Sequence, residues 1–328
     1  VALDRMTLFE KVQLGLETTR GVLVPANKLM TAMSIMVSPQ TEIQRFAPAG
    51  IKFMTQSVLN KEWSRARVEG IPTYNEIVYA LASIMGKTTP TGGPAYTWTF
   101  EMDYAAPDDP ATYTIEQGVA PNAMKAGYGL FTSFSIVAAR GENSLAGEMM
   151  AQVVEDGITP TASPTSIALK PIIAKSWDLY ADDTSGGLGG TRLGRAFRTE
   201  FRINDRYRMV WPLRSDQASY ASHAEVRPTV EMMVRIEADD DAVELVRALK
   251  EGDSKYMRLV ATSGTDYITG TTPYKFQTDF NGIVVAAGDL GDEDGVVTRE
   301  FTLAAKLDTG WGSGRALQVQ VVNDIGSL

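Results

Sequence analysis

The chain contains no cysteine and only one histidine, His223, among its 328 residues. Those gaps exclude disulfides, thiolate metal sites, cysteine nucleophiles and nearly every histidine-centred acid–base arrangement, because each needs those side chains. No apolar run approaches the roughly 18–20 residues of a membrane-spanning helix. The opening VALDRMTLFEKVQLGLE has neither the basic stretch nor the apolar core of an export signal. Membrane insertion and export are therefore not expected, and the lack of cysteine fits synthesis in a reducing cytosol. Positive charge is short as well: 31 Lys and Arg face 40 Asp and Glu, for a formal net charge of −9. Such a field repels phosphate, so sequence-specific DNA binding is not expected. A surface past which DNA must slide without sticking would gain from it.

What is present is a globular composition, with 44% hydrophobic and 22% charged residues, in a chain long enough for two ordinary domains. Most of the periodicity is that of strands. YTWTFEMDY (96–104) puts Tyr96, Trp98, Phe100, Met102 and Tyr104 on one face, and TVEMMVRIE (229–237) alternates in the same way. Further strands are expected at 130–139, 145–154, 199–210, 274–286, 296–305 and 315–322. Two stretches read as short amphipathic helices. IPTYNEIVYALASIMG (71–86) has Thr73 and Glu76 in capping-box spacing and Gly86 at its close, and DDDAVELVRALKEG (239–252) has Asp241 and Glu244 in that spacing and Gly252 at its close.

The chain also repeats itself. LGLETTRG (14–21) precedes LYADDTSG (179–186) by 165 positions, Thr73/Glu76 precedes Asp241/Glu244 by 168, FSIVAA (134–139) precedes FTLAAK (301–306) by 167, and QVVED (152–156) precedes QVVND (320–324) by 168. Four matches in one order at nearly one offset imply a tandem duplication. The join falls in EDGITPTASPTS (155–166), a Gly, Pro, Ser and Thr stretch that reads as a linker. The expected architecture is mainly β with two short helices: two tandem antiparallel β-sandwich or barrel domains, residues 1–160 and 161–328, each with one flanking helix. Stretches 36–53, 87–94, 119–129, 184–194, 212–228 and 288–295 read as loops.

Chemical sites are scarce. GDLGDEDG (288–295) gathers four acids but lacks the ligand spacing of a calcium loop. TSGGLGGTRLG (184–194) has no phosphate-loop spacing, and a G-x-G-x-x-G register fails at Arg192. No G-x-S-x-G elbow exists for a serine to share with His223. The chain is not expected to be an enzyme, and no cofactor or metal is expected. KEWSRAR (61–67) reads as an exposed strand face, with Lys61, Arg65 and Arg67 suited to acidic partners on a neighbouring subunit.

Taken together, GLETTRGVLVPANKLMTAMSIMVSP, IPTYNEIVYALASIMG and GLFTSFSIVAARGENSLAGEMMAQVV resemble the tail tube proteins of long-tailed bacteriophages. The shared features are the Glu17-to-Gly21 start, the single helix after the early strands, and the late hairpin with Ser133–Ser135, Gly141 and Leu145–Gly147. Residues 12–154 carry the resemblance well, and 177–324 fit it as a diverged second copy. The resemblance implies packed antiparallel sheets flanked by a helix, assembled as stacked rings around a DNA channel. It places the protein in the virion tail, put together in the host cytoplasm. Rings of six modules imply a homotrimer with pseudo-sixfold symmetry, or a homohexamer if the second copy decorates the outside. Tape-measure, tail-terminator and distal tail proteins are the implied partners, with non-specific passage of double-stranded DNA. Candidate lumen-facing acids are Glu101, Asp103, Glu231, Glu237 and Glu300. Candidate inter-ring residues are Gln44, Arg45 and Phe46 in 36–53, with Arg214, Asp216 and Tyr220 in 212–228. The competing reading is a monomeric β-sandwich that binds carbohydrate or protein through its loops.

Overall fold

In the computed structural model, which describes residues 10–328, the alternating segments form strands and the two capped stretches form the only α-helices among the described residues. In chain order the first part holds β1 (Val12–Leu16), β2 (Lys28–Leu29), β3 (Met33–Phe46), β4 (Gln56–Gly70), α1 (Ile77–Ile84), β5 (Thr91–Gly92), β6 (Tyr96–Glu101), β7 (Tyr113–Gln117), β8 (Ala123–Ala139), β9 (Asn143–Ala151) and β10 (Val154–Ile158). The second holds β11 (Thr165–Ser166), β12 (Trp177–Asp182), β13 (Ala196–Asn204), β14 (Tyr207–Val210), β15 (Ser222–Glu225), β16 (Thr229–Glu237), α2 (Asp240–Glu251), β17 (Ser254–Thr269), β18 (Thr272–Glu293), β19 (Val296–Ala305) and β20 (Leu317–Asn323).

Strand pairing repeats from one half to the other. The first half is ordered β1-β7-β8-β9-β4-β3 and the second β12-β17-β18-β19-β16-β13, all antiparallel. A last strand, β10 or β20, lies beside the early part of β8 or β18 in each. β8 and β18 are the long strands of the two halves. The early part of each pairs with β7 and β10, or with β17 and β20, and the late part with β9 or β19. The repeat therefore resides in topology as well as in short words.

One word match pairs strands that are not equivalent. FSIVAA lies in β8, whose counterpart is β18, whereas FTLAAK lies in β19, the counterpart of β9. Any core strand alternates apolar residues, so similar words recur without common position. LGLETTRG and LYADDTSG do correspond: Leu14 on β1 and Leu179 on β12 are both buried, against β7 and β17.

The halves are joined through a sheet. Arg198–Ile203 of β13 run antiparallel to the late part of β8, Phe134–Ala139, giving the continuous order β3-β4-β9-β8-β13-β16-β19-β18. Ile35, Val68, Phe134, Ile136, Phe201, Ile203, Met232, Val234, Phe301 and Leu303 cover its inner face and are buried. Burying such a side chain is worth about 1.5–3 kcal/mol. The hydrophobic core runs unbroken across the joint. The two halves thus share one sheet and one core. The stretch 155–166 is itself laced to the first half: β11 pairs with β2, the Thr161 N–H donates to Glu116 (2.6 Å), and the Gln13 side chain donates to the Thr161 carbonyl (2.9 Å).

Thr73 opens α1 as expected, its Oγ1 accepting the Glu76 N–H at 3.1 Å. Glu76 does not reach back to complete a capping box. Its buried carboxylate instead accepts the N–H groups of Ala32 (3.0 Å) and Met33 (2.7 Å) and ties the helix to the start of β3. α2 is capped by Asp239, two residues before the expected Asp241: its carboxylate accepts the Asp241 and Ala242 N–H groups, and Gly252 ends the helix at φ 74°.

Several expected loops are strands. Residues 36–46 continue β3 and, with β4, form a long hairpin arm exposed beyond Val37. Most of 119–129 is the start of β8. Strand pairing of β18 with β19 runs on to Glu293, and only Asp294 and Gly295 turn, at φ 53° and 79°. Asp-Gly is the sequence that such a two-residue hairpin turn favours.

Candidate functional site

The outer face of the eight-strand run is charged. Strand alternation points Arg65, Arg67 and Glu69 of β4, Glu148 of β9, Arg198, Glu200 and Arg202 of β13, Glu231, Arg235 and Glu237 of β16 and Glu300 of β19 away from the core. Opposite charges face each other across strands. The Arg202 Nε donates to Glu231 at 2.8 Å, Arg235 bridges Glu300 (2.9 Å) and Glu293 (3.2 Å), Arg195 pairs with Glu237, and Arg198 pairs with Glu142 and Glu200. Such cross-strand pairs contribute a few tenths of a kcal/mol each, and here they balance the face electrically.

Of the candidate lumen acids, this face gathers Glu231, Glu237 and Glu300, each with an arginine partner. Glu101 and Asp103 lie elsewhere. β6 joins the structure through β20, outside the eight-strand run, where Glu101 accepts from Arg315 (3.0 Å). Asp103 caps a local turn, accepting the Ala105 and Ala106 N–H groups (2.7 and 3.0 Å). Two of the basic residues of 61–67 find partners inside the chain, Lys61 with Glu42 (3.3 Å) and Arg67 with Glu69.

Gln44, Arg45 and Phe46 stand exposed near the tip of the β3–β4 arm, whose apolar residues Ile43, Ile51, Phe53 and Met54 are exposed too. In the second half the corresponding connection, 205–228, is folded down. The Ala218 carbonyl accepts the Glu62 N–H (3.1 Å), Trp211 meets Trp63 edge-on (5.9 Å), and Gln152 donates to the Tyr220 carbonyl (2.8 Å). Arg214 and Asp216 pair at its exposed tip (2.7 Å). Tyr220 departs from its expected place: it is 0% exposed and donates its hydroxyl to the Tyr128 carbonyl at 2.8 Å, so it anchors the segment and does not present it.

Three polar devices bring together groups far apart in the sequence. Arg206, 2% exposed, donates to the Ile84 carbonyl at the end of α1 (3.1 Å), to Glu225 (2.5 Å) and to Asp108, clamping the halves together. Burial pushes the Asp108 carboxyl above its ordinary range, opposed by the Asp103 N–H and by Arg206. Glu17, buried, accepts from the Gly21 N–H (2.8 Å), the Tyr128 N–H (2.8 Å) and the hydroxyls of Thr112 and Thr114. Its counterpart in the repeat, Asp182, likewise holds the next loop through the N–H groups of Gly189 (2.9 Å) and Thr191 (3.0 Å). His223 contacts the Tyr128 hydroxyl at 3.0 Å and the ring of Tyr207, and burial, then Arg20, holds its pKa below the usual value. No serine is among those neighbours.

No protein-family model matches the chain, and no curated protein matches it. Among the described residues no helix is long and apolar enough to cross a membrane, and no three His, Asp or Glu side chains gather in a metal-holding group.

Proposed function

We propose that this chain is the building block of a bacteriophage tail tube: a structural protein that closes into rings, stacks them, and lines a channel through which DNA leaves the virion. The observation that carries the reading is the eight-strand run made of two equivalent four-strand halves, β3-β4-β9-β8 and β13-β16-β19-β18. A wall that repeats within the chain and ends in open strands is suited to continuing from copy to copy. Both halves contribute strands to that wall, which favours three chains per ring over six with the second half outside.

The paired face suits a conduit. Carboxylates held by arginines present phosphate with neither a sticky basic stripe nor a strong barrier, and at a Debye length of about 8 Å the wall acts only on nearby phosphates. The exposed arm, with its apolar tip, is placed to reach the adjoining ring; a deletion of Phe46–Ala49 is expected to leave rings that do not stack. Partners at the tube ends and a tape-measure protein in the lumen follow from the resemblance.

Negative-stain electron microscopy of the concentrated chain tests the reading. Hollow tubes or annuli are expected, and a uniform monomer that binds a glycan or protein would replace it with the binding-module reading. Changing Glu231, Glu237 and Glu300 together to Gln removes the charged partners of Arg202 and Arg195 and leaves Arg235 with Glu293 alone, and the resulting assemblies are expected to retain DNA in a salt-dependent manner.

A further inference from the structure

We propose that two edges left open in each chain pair with each other between copies: Ser34–Pro39 of β3 in one copy runs antiparallel to Ala287–Glu293 of β18 in the next, so the occupant of each edge is a second copy of this chain. The inference rests on the ring reading above and adds to it which strands meet, and in what register.

The template lies inside the molecule. β13 of the second half covers the late part of β8 of the first. β3 is the counterpart of β13, and the late part of β18 is the counterpart of the late part of β8. Neither counterpart has a second strand beside it among the described residues. β3 pairs with β4 alone, with its Val37 N–H held by the Gln117 side chain (2.7 Å), a bond that an incoming strand must displace, and β18 loses its pairing with β17 after Ile283 and continues beside β19 alone. Burial records the difference. On the covered strand, Phe134, Ile136, Val137 and Ala138 are buried; on the open one, Val285, Ala286 and Gly288–Asp292 are exposed, Leu290 at 63%. An open strand with bare N–H and C=O groups and an exposed leucine is a pairing hazard unless it has a use.

The register transfers from the template. Counting back from the helix-opening residues Thr73 and Asp239, Val68 takes the place of Val234, so Val37 takes that of Phe201 and Met36 that of Glu200. Through the neighbouring strands Gly147 takes the place of Phe301, and with the bulge between Ala287 and Leu290 counted, Ile136 takes that of Leu290 and Val137 that of Gly291. Inside the chain Phe201 faces Ile136 and Glu200 faces Val137. Between copies Val37 therefore faces Leu290, giving the exposed leucine an apolar partner, and Met36 faces Gly291. Pro39, which has no N–H, falls at the end of the paired stretch, where a strand tolerates it. Each chain carries one edge of each kind, so the contact is head-to-tail. A contact of this kind closes into a ring when the rotation it repeats divides a full turn, and the ring reading requires that it does.

The chain's lack of cysteine makes the test direct. Met36→Cys and Gly291→Cys are both at exposed positions, and a side chain at 291 meets only the Thr298 hydroxyl, at 3.5 Å. Directly opposed residues in an antiparallel pair sit about 4.5–5.5 Å apart at Cα, within disulfide reach. The double variant, oxidised after assembly, is expected to give covalent dimers and trimers on a non-reducing gel, and a mixture of the two single variants dimers and nothing larger. Rings that form without cross-links would overturn the pairing and leave the ring reading standing; absence of both rings and cross-links would overturn both. Cross-linked annuli that never stack would support the pairing and remove the tube. As a second variant, Leu290→Lys puts a charge on the open edge without touching the core, and is expected to raise the concentration for half-assembly at least tenfold; an unchanged value overturns the proposal.

Discussion

The two helices hold equivalent places in the repeat and differ in almost everything else. All of α1, Ile77–Ile84, is buried, whereas α2 buries Ala242, Leu245 and Ala248 and shows Val243 at 57% exposure among charged neighbours. The cause is what lies over them. β8 and β6 of its own half lie against α1, with the Tyr113 hydroxyl on the Tyr79 carbonyl (2.8 Å), and the second half closes over its two ends: Tyr274 packs on Tyr74 just before it (5.8 Å), and Arg206 reaches Ile84 at its close. No third half covers the second within a single chain. A helix enclosed on all sides can be apolar all round, and one that meets water needs a polar face. The same asymmetry marks the strands, covered at β8 and open at the end of β18. It teaches that the repeats diverged according to whether their neighbour lies in the same chain.

Variants can break that comparison. The largest effect is expected from Arg206→Ala, which leaves Asp108 and Glu225 without their cation at the clamp between halves; loss of one partner of a buried pair costs about 3–5 kcal/mol, read as a lowered denaturant midpoint. Next is Leu81→Ala on α1, expected to cost about 2–5 kcal/mol as a core truncation. Val243→Ala on α2 should stay within about 0.5 kcal/mol, and equal losses from the two would show the helices to be alike in burial. Glu17→Ala should cost more than Asp182→Ala. The first strands buried donors, at about 1–3 kcal/mol each, whereas the Gly190 and Thr191 N–H groups released by the second lie on exposed residues and can turn to water.

The parts of the fold with strict alternation were legible in the sequence. The spans 229–237 and 296–305 coincide with β16 and β19, because one face of each meets the core and the other meets a neighbouring charge or water. The arm and the start of β8 were not legible. Beyond Val37 both faces of β3 are open, so nothing forces alternation, and 123–129 is rich in Ala and Gly. The charged face was half legible: the acids at 231, 237 and 300 stand out by parity, but their arginine partners come from other strands. The Glu17-to-Gly21 spacing was legible, whereas the other partners of Glu17, the Arg206 clamp and the β13–β8 joint depend on contacts far apart in sequence, which no local pattern encodes.

The smallest effect concerns pH. Burial holds the His223 pKa of the folded chain below its ordinary value, so the unfolded chain takes up a proton first as pH falls through the ordinary histidine range near 6.5. Stability is expected to decline modestly from pH 7.5 to 5.5 and to recover on return. His223→Asn should flatten that slope in thermal melts, since the folded-down segment 205–228 carries the chain's one histidine and the arm of the first half carries none.

The most direct measurement is the rotational symmetry of assembled particles by cryo-electron microscopy. The account predicts annuli that look sixfold at low resolution and resolve to threefold when α1 and α2 can be told apart, each lobe being one half of a chain. Particles with a single chain and no rotational symmetry, or annuli holding six chains with the second halves outside the wall, would contradict it.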